Sequence, residues 1–209
     1  QKDIEFLFDS GVKLLSIESE KELFQFLTRQ VSKLVPGAII NLNSINEENA
    51  ILRVESVTGI SGKIKSTILQ LLDQKLTGKT FSVDKNTFEY SKHGKLLKYH
   101  DSLYELTLHQ IPKKICNQIE KLIQLTEIYE LSIGVDDKVM GGCAIFLKKG
   151  QTIENSSIIE TLFRQASQAL LRLRTHNQLV KREELYRSLA ESAHDLILRV
   201  NNNMKPIYA

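Results

Sequence analysis

Cysteine is scarce in this 209-residue chain: there are two, Cys116 and Cys143, far apart and without CxxC spacing. That excludes a zinc ribbon and a thioredoxin-type motif, and the expectation is two buried free thiols in a reducing cytosol. Long apolar runs are also lacking. The longest, such as Cys143 to Leu147, have strand length, so no membrane segment is expected in this stretch. The excess of one charge is small, 28 basic against 25 acidic side chains for a net +3. A dedicated nucleic-acid binder would need a clustered basic face, so no nucleic acid is expected as partner. No signal-peptide pattern opens the chain, and a cytoplasmic location is expected. The chain begins without Met and stops inside a strand-like pattern at Pro206 to Ala209, so a piece of a longer protein is expected.

Catalytic constellations are missing too. No Ser-His-Asp set or paired carboxylates can be placed at one site, and no glycine-rich ATP lid is visible. This stretch is therefore expected not to be an enzyme by itself. Ser192-Ala193-His194-Asp195-Leu196 has the look of a kinase phospho-acceptor box, but the β-like Ile197 to Asn201 follows where a helix would be needed.

What is present is an ordinary globular composition, 42% apolar and 25% charged. Ile4, Phe8, Val12 and Leu15 share one face of a first helix over 3–15. Ser19, with Glu22 three residues on, caps a second helix that carries Leu23, Phe26, Leu27, Val31 and Leu34 and stops at Pro36-Gly37. Two strands follow, 38–45 and 51–57, joined by a polar turn, with Leu52 and Val54 opposite in facing to Arg53 and Glu55. Ile64, Ile68, Leu71 and Leu72 give a third helix, and 80–83 a short strand. Residues 84–110 are irregular, with a weak helix expected around 96–108, and Pro112 is expected at the first position of a helix through Leu122. A strong hairpin spans 127–135 and 139–148 around Asp136-Asp137-Lys138, with Gly141-Gly142 near the start of its second strand.

From Ile153 the chain is expected to be helical for a long way. Ile159, Phe163, Ala166, Leu170, Leu173, Asn177 and Val180 recur four and three residues apart, the spacing of a coiled-coil seam with one polar core position. These seven residues are the expected dimer seam, and a homodimer through the N- and C-terminal helices is the expected assembly, with Phe8 and Val12 as further candidates.

The order helix-helix, hairpin, helix, strand, irregular stretch, hairpin, long exit helix resembles the GAF family. The stretch from Leu131 to Leu147, with its acidic turn before Gly141-Gly142, is similar to that family's final hairpin. The helix from Ile158 to Leu171, with its small residues Ala166 and Ala169, is similar to its exit helix. The resemblance implies an α+β fold: a central antiparallel sheet of five or six strands, N- and C-terminal helices on one face, a ligand pocket on the other, and a long C-terminal coiled-coil helix. The tail from Glu184 to Ala209 resembles the opening of a PAS domain. The implied organisation is a GAF-like domain over 1–175, a helical linker over 176–192 and the start of a PAS-like domain over 193–209. That order is the one found in sensor histidine kinases, so downstream PAS and kinase domains of the same chain are expected partners. An input domain of a transcriptional regulator or other signalling enzyme, and a ligand-independent dimerisation scaffold, are the alternatives.

His93, His100, His109 and Cys116 are the cluster with cofactor-binding chemistry, and haem iron is an option they allow. Their spacings match no compact metal motif, so no metal is assigned. Asp84 to Glu89 lacks the order and spacing of the cyclic-nucleotide signature, and neither cysteine is followed by the His common in bilin-binding members. The role the resemblance implies is that of a sensory module relaying a small-molecule or redox signal through a dimeric exit helix to a downstream PAS domain, with the identity of any ligand left open.

Overall fold

In the computed structural model the described residues are 2–46, 48–73, 75–83, 94–136, 138–192, 199–200 and 206–208. His93, His194 and the first part of the PAS-like opening lie outside them. The chain divides into two compact units, Gln1–Leu171 and Arg172–Ala209.

The first unit is built on six antiparallel strands in the order β3-β2-β1-β6-β5-β4. They are β1 (Ile39–Asn46), β2 (Ile51–Thr58), β3 (Thr80–Ser82), β4 (Leu97–Tyr99), β5 (Leu125–Val135) and β6 (Lys138–Lys148). The hairpin of β5 and β6 turns at Asp136, whose positive φ of 53° suits a short polar side chain. Gly141 faces Ser44 of β1 so closely that a Cβ would lie 2.5 Å from the carbonyl oxygen of Asn43. Only glycine admits that approach of two backbones.

Helices cover both faces. α1 (Lys2–Leu15), α2 (Glu20–Leu34) and the first half of α6 (Ser156–Ser192) form one layer. Ser19 caps α2 by accepting from the backbone N–H of Glu22 at 3.2 Å. The backbone N–H of Gly134 on β5 donates to Ser167 Oγ on α6 at 3.0 Å. Gly11 of α1 lies against Gln165 of α6, where a Cβ would make an ordinary contact at 3.4 Å. This layer packs on Ile40, Leu42, Ile133, Ile145 and Leu147, each fully buried. On the opposite face stand α3 (Gly62–Leu72), α4 (Leu103–Leu106) and α5 (Lys113–Ile123). Five or six strands were expected; six are present, with the terminal helices on one face.

Three expectations need correction. The weak helix around 96–108 is instead β4 followed by the single turn α4, because Leu97 to Tyr99 pair with Ile128 to Glu130 and supply the sixth strand. Pro112 caps α5 from outside rather than opening it. The long helix starts at Ser156, not Ile153. The apolar face of α1 is turned outward: Ile4, Phe8, Val12 and Leu15 are exposed, while Ser10 and Leu14 are buried.

The expected dimer seam is divided by burial. Ile159, Phe163, Ala166 and Leu170 are at most 1% exposed in the single chain and belong to the core of the first unit. A side chain wholly buried in its own fold has no surface left for a partner, so these four are core residues. Leu173 is also buried, whereas Asn177 and Val180 are exposed.

The second unit holds the rest of α6 and a two-stranded antiparallel piece, β7 (Arg199–Val200) and β8 (Pro206–Tyr208), with Arg199 opposite Tyr208. Leu179, Val180, Leu185, Tyr186 and Leu189 of α6 are exposed. No helix among the described residues is long and apolar enough to cross a membrane.

Candidate functional site: a cavity on one face of the sheet

Side chains alternate across a strand, so each strand here contributes to both faces. On β1, Ile40 and Leu42 enter the helix layer, while Ile39, Asn41, Asn43 and Ile45 face the other way. Register then builds three rows across the sheet. The first is Tyr99–Ile128–Phe146–Ile39, the second Leu97–Glu130–Ala144–Asn41, and the third Ser132–Gly142–Asn43. The first row is bulky and merges with Ile68, Leu103, Ile119 and Ile123 of the covering helices. The second and third rows place Ala144 and Gly142, the smallest side chains, at the middle of the sheet, flanked by polar groups.

A hollow follows from this arrangement. The described residues bound a cavity of 740 Å³ between this face and α3, α4 and α5. That volume lies within the range of small-molecule sites. The covering elements are tied down: the N–H of Leu103 donates to Glu120 Oε1 at 2.7 Å. Gln110 closes the rim by taking both backbone groups of Ser82, at 2.9 and 2.7 Å. Lys98 Nζ donates to Glu127 Oε1 at 2.6 Å and holds β4 to β5 at the surface.

The polar rows carry unusual electrostatics. Burial pushes the Glu130 carboxyl up to about 7, since an ionised carboxylate is poorly solvated there. Burial, and next the Glu130 charge, push the Tyr99 hydroxyl up to about 12. The amide oxygens of Asn41 and Asn43 are buried with no hydrogen-bond partner among the described residues. Buried polar atoms are nearly always paired, so two orphans on adjacent rows mark an unmet demand for donors.

The histidine-based candidates are not brought together. His100 lies exposed at the cavity mouth. His109 is exposed, bonded to Glu105 and against the Tyr104 ring at 4.5 Å between centroids. Cys116 is fully buried, its Sγ 3.6 Å from the Ile111 carbonyl, and burial raises its thiol pKa. Among the described residues no group of three or more His, Cys, Asp or Glu could hold a metal ion. Cys143 is buried between Leu42 and Leu131 at the middle of the sheet and borders the cavity; burial pushes its thiol up. Sequence reasoning missed Asn41, Asn43 and Glu130. The available signal was a polar residue at every second position of otherwise apolar strands.

The architecture is that of a GAF domain with a cavity on the face away from its terminal helices. No family model and no curated protein matches the sequence. Among solved structures, the chain is similar to the chromophore-binding domain of the bacteriophytochrome RpBphP3 from R. palustris, at 9% identity and TM-score 0.59 over 83% of this chain. It spans 62% of that protein's chain. It is similar to the GAF domain of an Acinetobacter phosphoenolpyruvate-protein phosphotransferase, at 12% identity and TM-score 0.56, covering 84% of this chain and 96% of that one. It is also similar to the GAF domain of a protein described as a sensor histidine kinase from Pseudomonas syringae pv. tomato, at 12% identity and TM-score 0.55, covering 87% and 93%. At such identities the likeness is one of fold.

Proposed function

We propose that this chain is the sensory module of a multidomain signalling protein, in which a small molecule held in the cavity alters the packing of the sheet on its terminal helices. The observation that carries this reading is the 740 Å³ cavity where a filled interior would have favoured a mere scaffold. A small molecule is favoured over a redox signal because both thiols are buried and their pKa values raised, which keeps them protonated and unreactive.

The route of the signal follows from strand geometry. Glu130 faces the cavity and its neighbour Leu131 faces the helix layer, so a shift of β5 is felt on both sides. Four residues from Glu130, the Gly134 N–H bonds Ser167 of α6. α6 would pass a change of tilt or rotation onward. The exposed apolar stripe of α1, with Phe8 at 69% and Ile4 at 74%, fits the same stripe of a second copy about a two-fold axis. The output is proposed to be a PAS-like domain followed by a histidine kinase; the PAS-like tail and the sensor kinase among the structural neighbours support that choice.

Native mass spectrometry and absorption spectroscopy of the purified protein test the reading. A co-purifying small molecule that is lost on substitution of Ala144 by Phe is the expected result. A protein that binds no small molecule, and whose Ala144→Phe variant matches the parent in every respect, would point to the scaffold.

A further inference from the structure

The polar floor of the cavity has a composition that selects ligands by chemical type. Its contributors are Asn41 and Asn43 from β1 and Glu130 and Ser132 from β5, set on either side of Ala144 and Gly142. Adjacent strands lie about 4.8 Å apart, so Asn41 and Glu130 stand roughly 10 Å apart across β6. A flat ligand head fits that gap above the Ala144 methyl group. Gly142 adds room beside it: a Cβ there would come within 3.1 Å of Asn43 Oδ1 and push that side chain aside by a few tenths of an ångström.

The floor has acceptors to spare. Among the described residues two amide oxygens lack a donor, and the Glu130 carboxyl has no ion pair. No lysine, arginine or histidine of β1, β5 or β6 lines the cavity: Lys148, at the end of this face of β6, turns to the Gly59 carbonyl, and the basic residues that do line it, Lys79, Lys95, Lys98 and His100, come from its edge. Asparagine χ2 is a soft torsion, so each amide can turn its oxygen toward a guest at little cost. The remainder of the lining is apolar, from Ile39, Ile68, Phe146 and their neighbours.

We infer that the cavity takes a ligand with a flat apolar body and a cationic nitrogen head rich in N–H donors, of the amidine or guanidine kind, seated over Ala144 between Asn41, Asn43 and Glu130. This rests on the reading of the cavity as a small-molecule site. A planar N–H fork meets carboxylate oxygens in pairs, and its remaining donors reach the orphaned amide oxygens. An anionic head could take the asparagine N–H groups and the Ser132 hydroxyl, but it would stand beside the Glu130 carboxylate and leave the two amide oxygens without a donor. The apolar body lies along the Ile39–Phe146–Ile128 row, beneath α3 and α5.

Three probes with one body and different heads test this: 2-naphthamidine, 2-naphthoate and the neutral 2-naphthol. Binding is measured at pH 8 by protein-detected NMR titration, with the Ala144 methyl and Gly142 amide signals locating the guest. The amidine is expected to bind about tenfold or more tightly than the carboxylate, the advantage of a charge-assisted hydrogen bond over none. Glu130→Gln keeps shape and removes charge, and is expected to shrink that preference to within about threefold. Asn41→Leu, which removes one orphaned oxygen, is expected to weaken the amidine, with its several N–H donors and charge, more than naphthol with its single O–H. Naphthoate binding as well as the amidine, or an amidine preference that survives both substitutions, overturns the ligand class while leaving the cavity as a binding site. Failure of all three probes to move the Ala144 and Gly142 signals overturns both readings.

Discussion

The two faces of the central sheet are made from the same strands and are unlike in every other respect. On the helix side, Ile40, Leu42, Ile133, Ile145 and Leu147 are fully buried and interlock with Phe24, Leu27, Ile159 and Phe163. On the other side, one residue along each strand, the positions are Asn41, Asn43, Glu130, Ala144 and Gly142, and they leave a hollow. The first face is where folding free energy is gained, because burial and close packing scale with contact. The second holds an ionisable group and unpaired oxygens that cost stability. A domain that keeps such a face in a folded sheet offsets it with the other.

Substitution on the two faces should therefore separate. The largest effect is expected from Leu147→Ala on the filled face, a loss of about 2–5 kcal/mol in chemical denaturation. A loss under about 1 kcal/mol would show that the two faces are not energetically distinct. Next comes pH. Because the folded-state pKa of Glu130 is raised to about 7 from the ordinary 4.5, its stabilising contribution is complete below pH 4.5 and is lost as pH rises through 7. The loss amounts to roughly 3 kcal/mol at most, less because the side chain is only half-buried. Glu130→Gln should flatten that part of the stability-pH curve, and a slope that persists in the variant would assign it elsewhere.

Filling the hollow is the converse test. Ala144→Leu should change stability by less than about 1.5 kcal/mol, since space is available, yet abolish binding of the amidine probe. Unfolding of the variant, or undiminished binding, would place the cavity differently. The smallest effect on stability, within about 0.5 kcal/mol, is expected from Phe8→Glu on the outward stripe of α1. Sedimentation velocity should nonetheless shift from dimer toward monomer, and an unchanged profile counts against pairing through α1. Leu173, an obvious choice from heptad spacing, is buried and would report on folding instead.

The hairpin of β5 and β6 was legible in the sequence because Tyr129, Leu131 and Ile133 alternate with polar or small neighbours, and the acidic turn separates that run from the apolar Cys143 to Leu147. β4 was not legible, because three residues in a polar stretch carry too little pattern, and only its pairing with β5 makes it a strand. The misjudged seam has a different cause. Apolar residues at spacings of three and four declare that a helix has a covered face without saying what covers it; for Ile159 to Leu170 the cover is the chain's own sheet. α1 shows the reverse case, an apolar stripe that its own fold leaves open. The cavity floor escaped notice because it depends on register. Asn41, Ala144 and Glu130 come from three strands, and nothing in the letters aligns them before the sheet forms.

In β6 two vocabularies are interleaved. Cys143, Ile145 and Leu147 serve the packed layer, and Gly142, Ala144 and Phe146 serve the hollow, in strict alternation. Evolution can therefore edit one set while leaving the other alone. Exchange at Ala144 reshapes what the cavity admits at little cost to the packed layer, whereas Phe146, Ile145 and Leu147 tolerate only exchanges that keep volume. Domains so built can diverge to 9–12% identity and still share one architecture. The alternation of a single strand thus gives the lineage a place to change its chemistry while its framework stands.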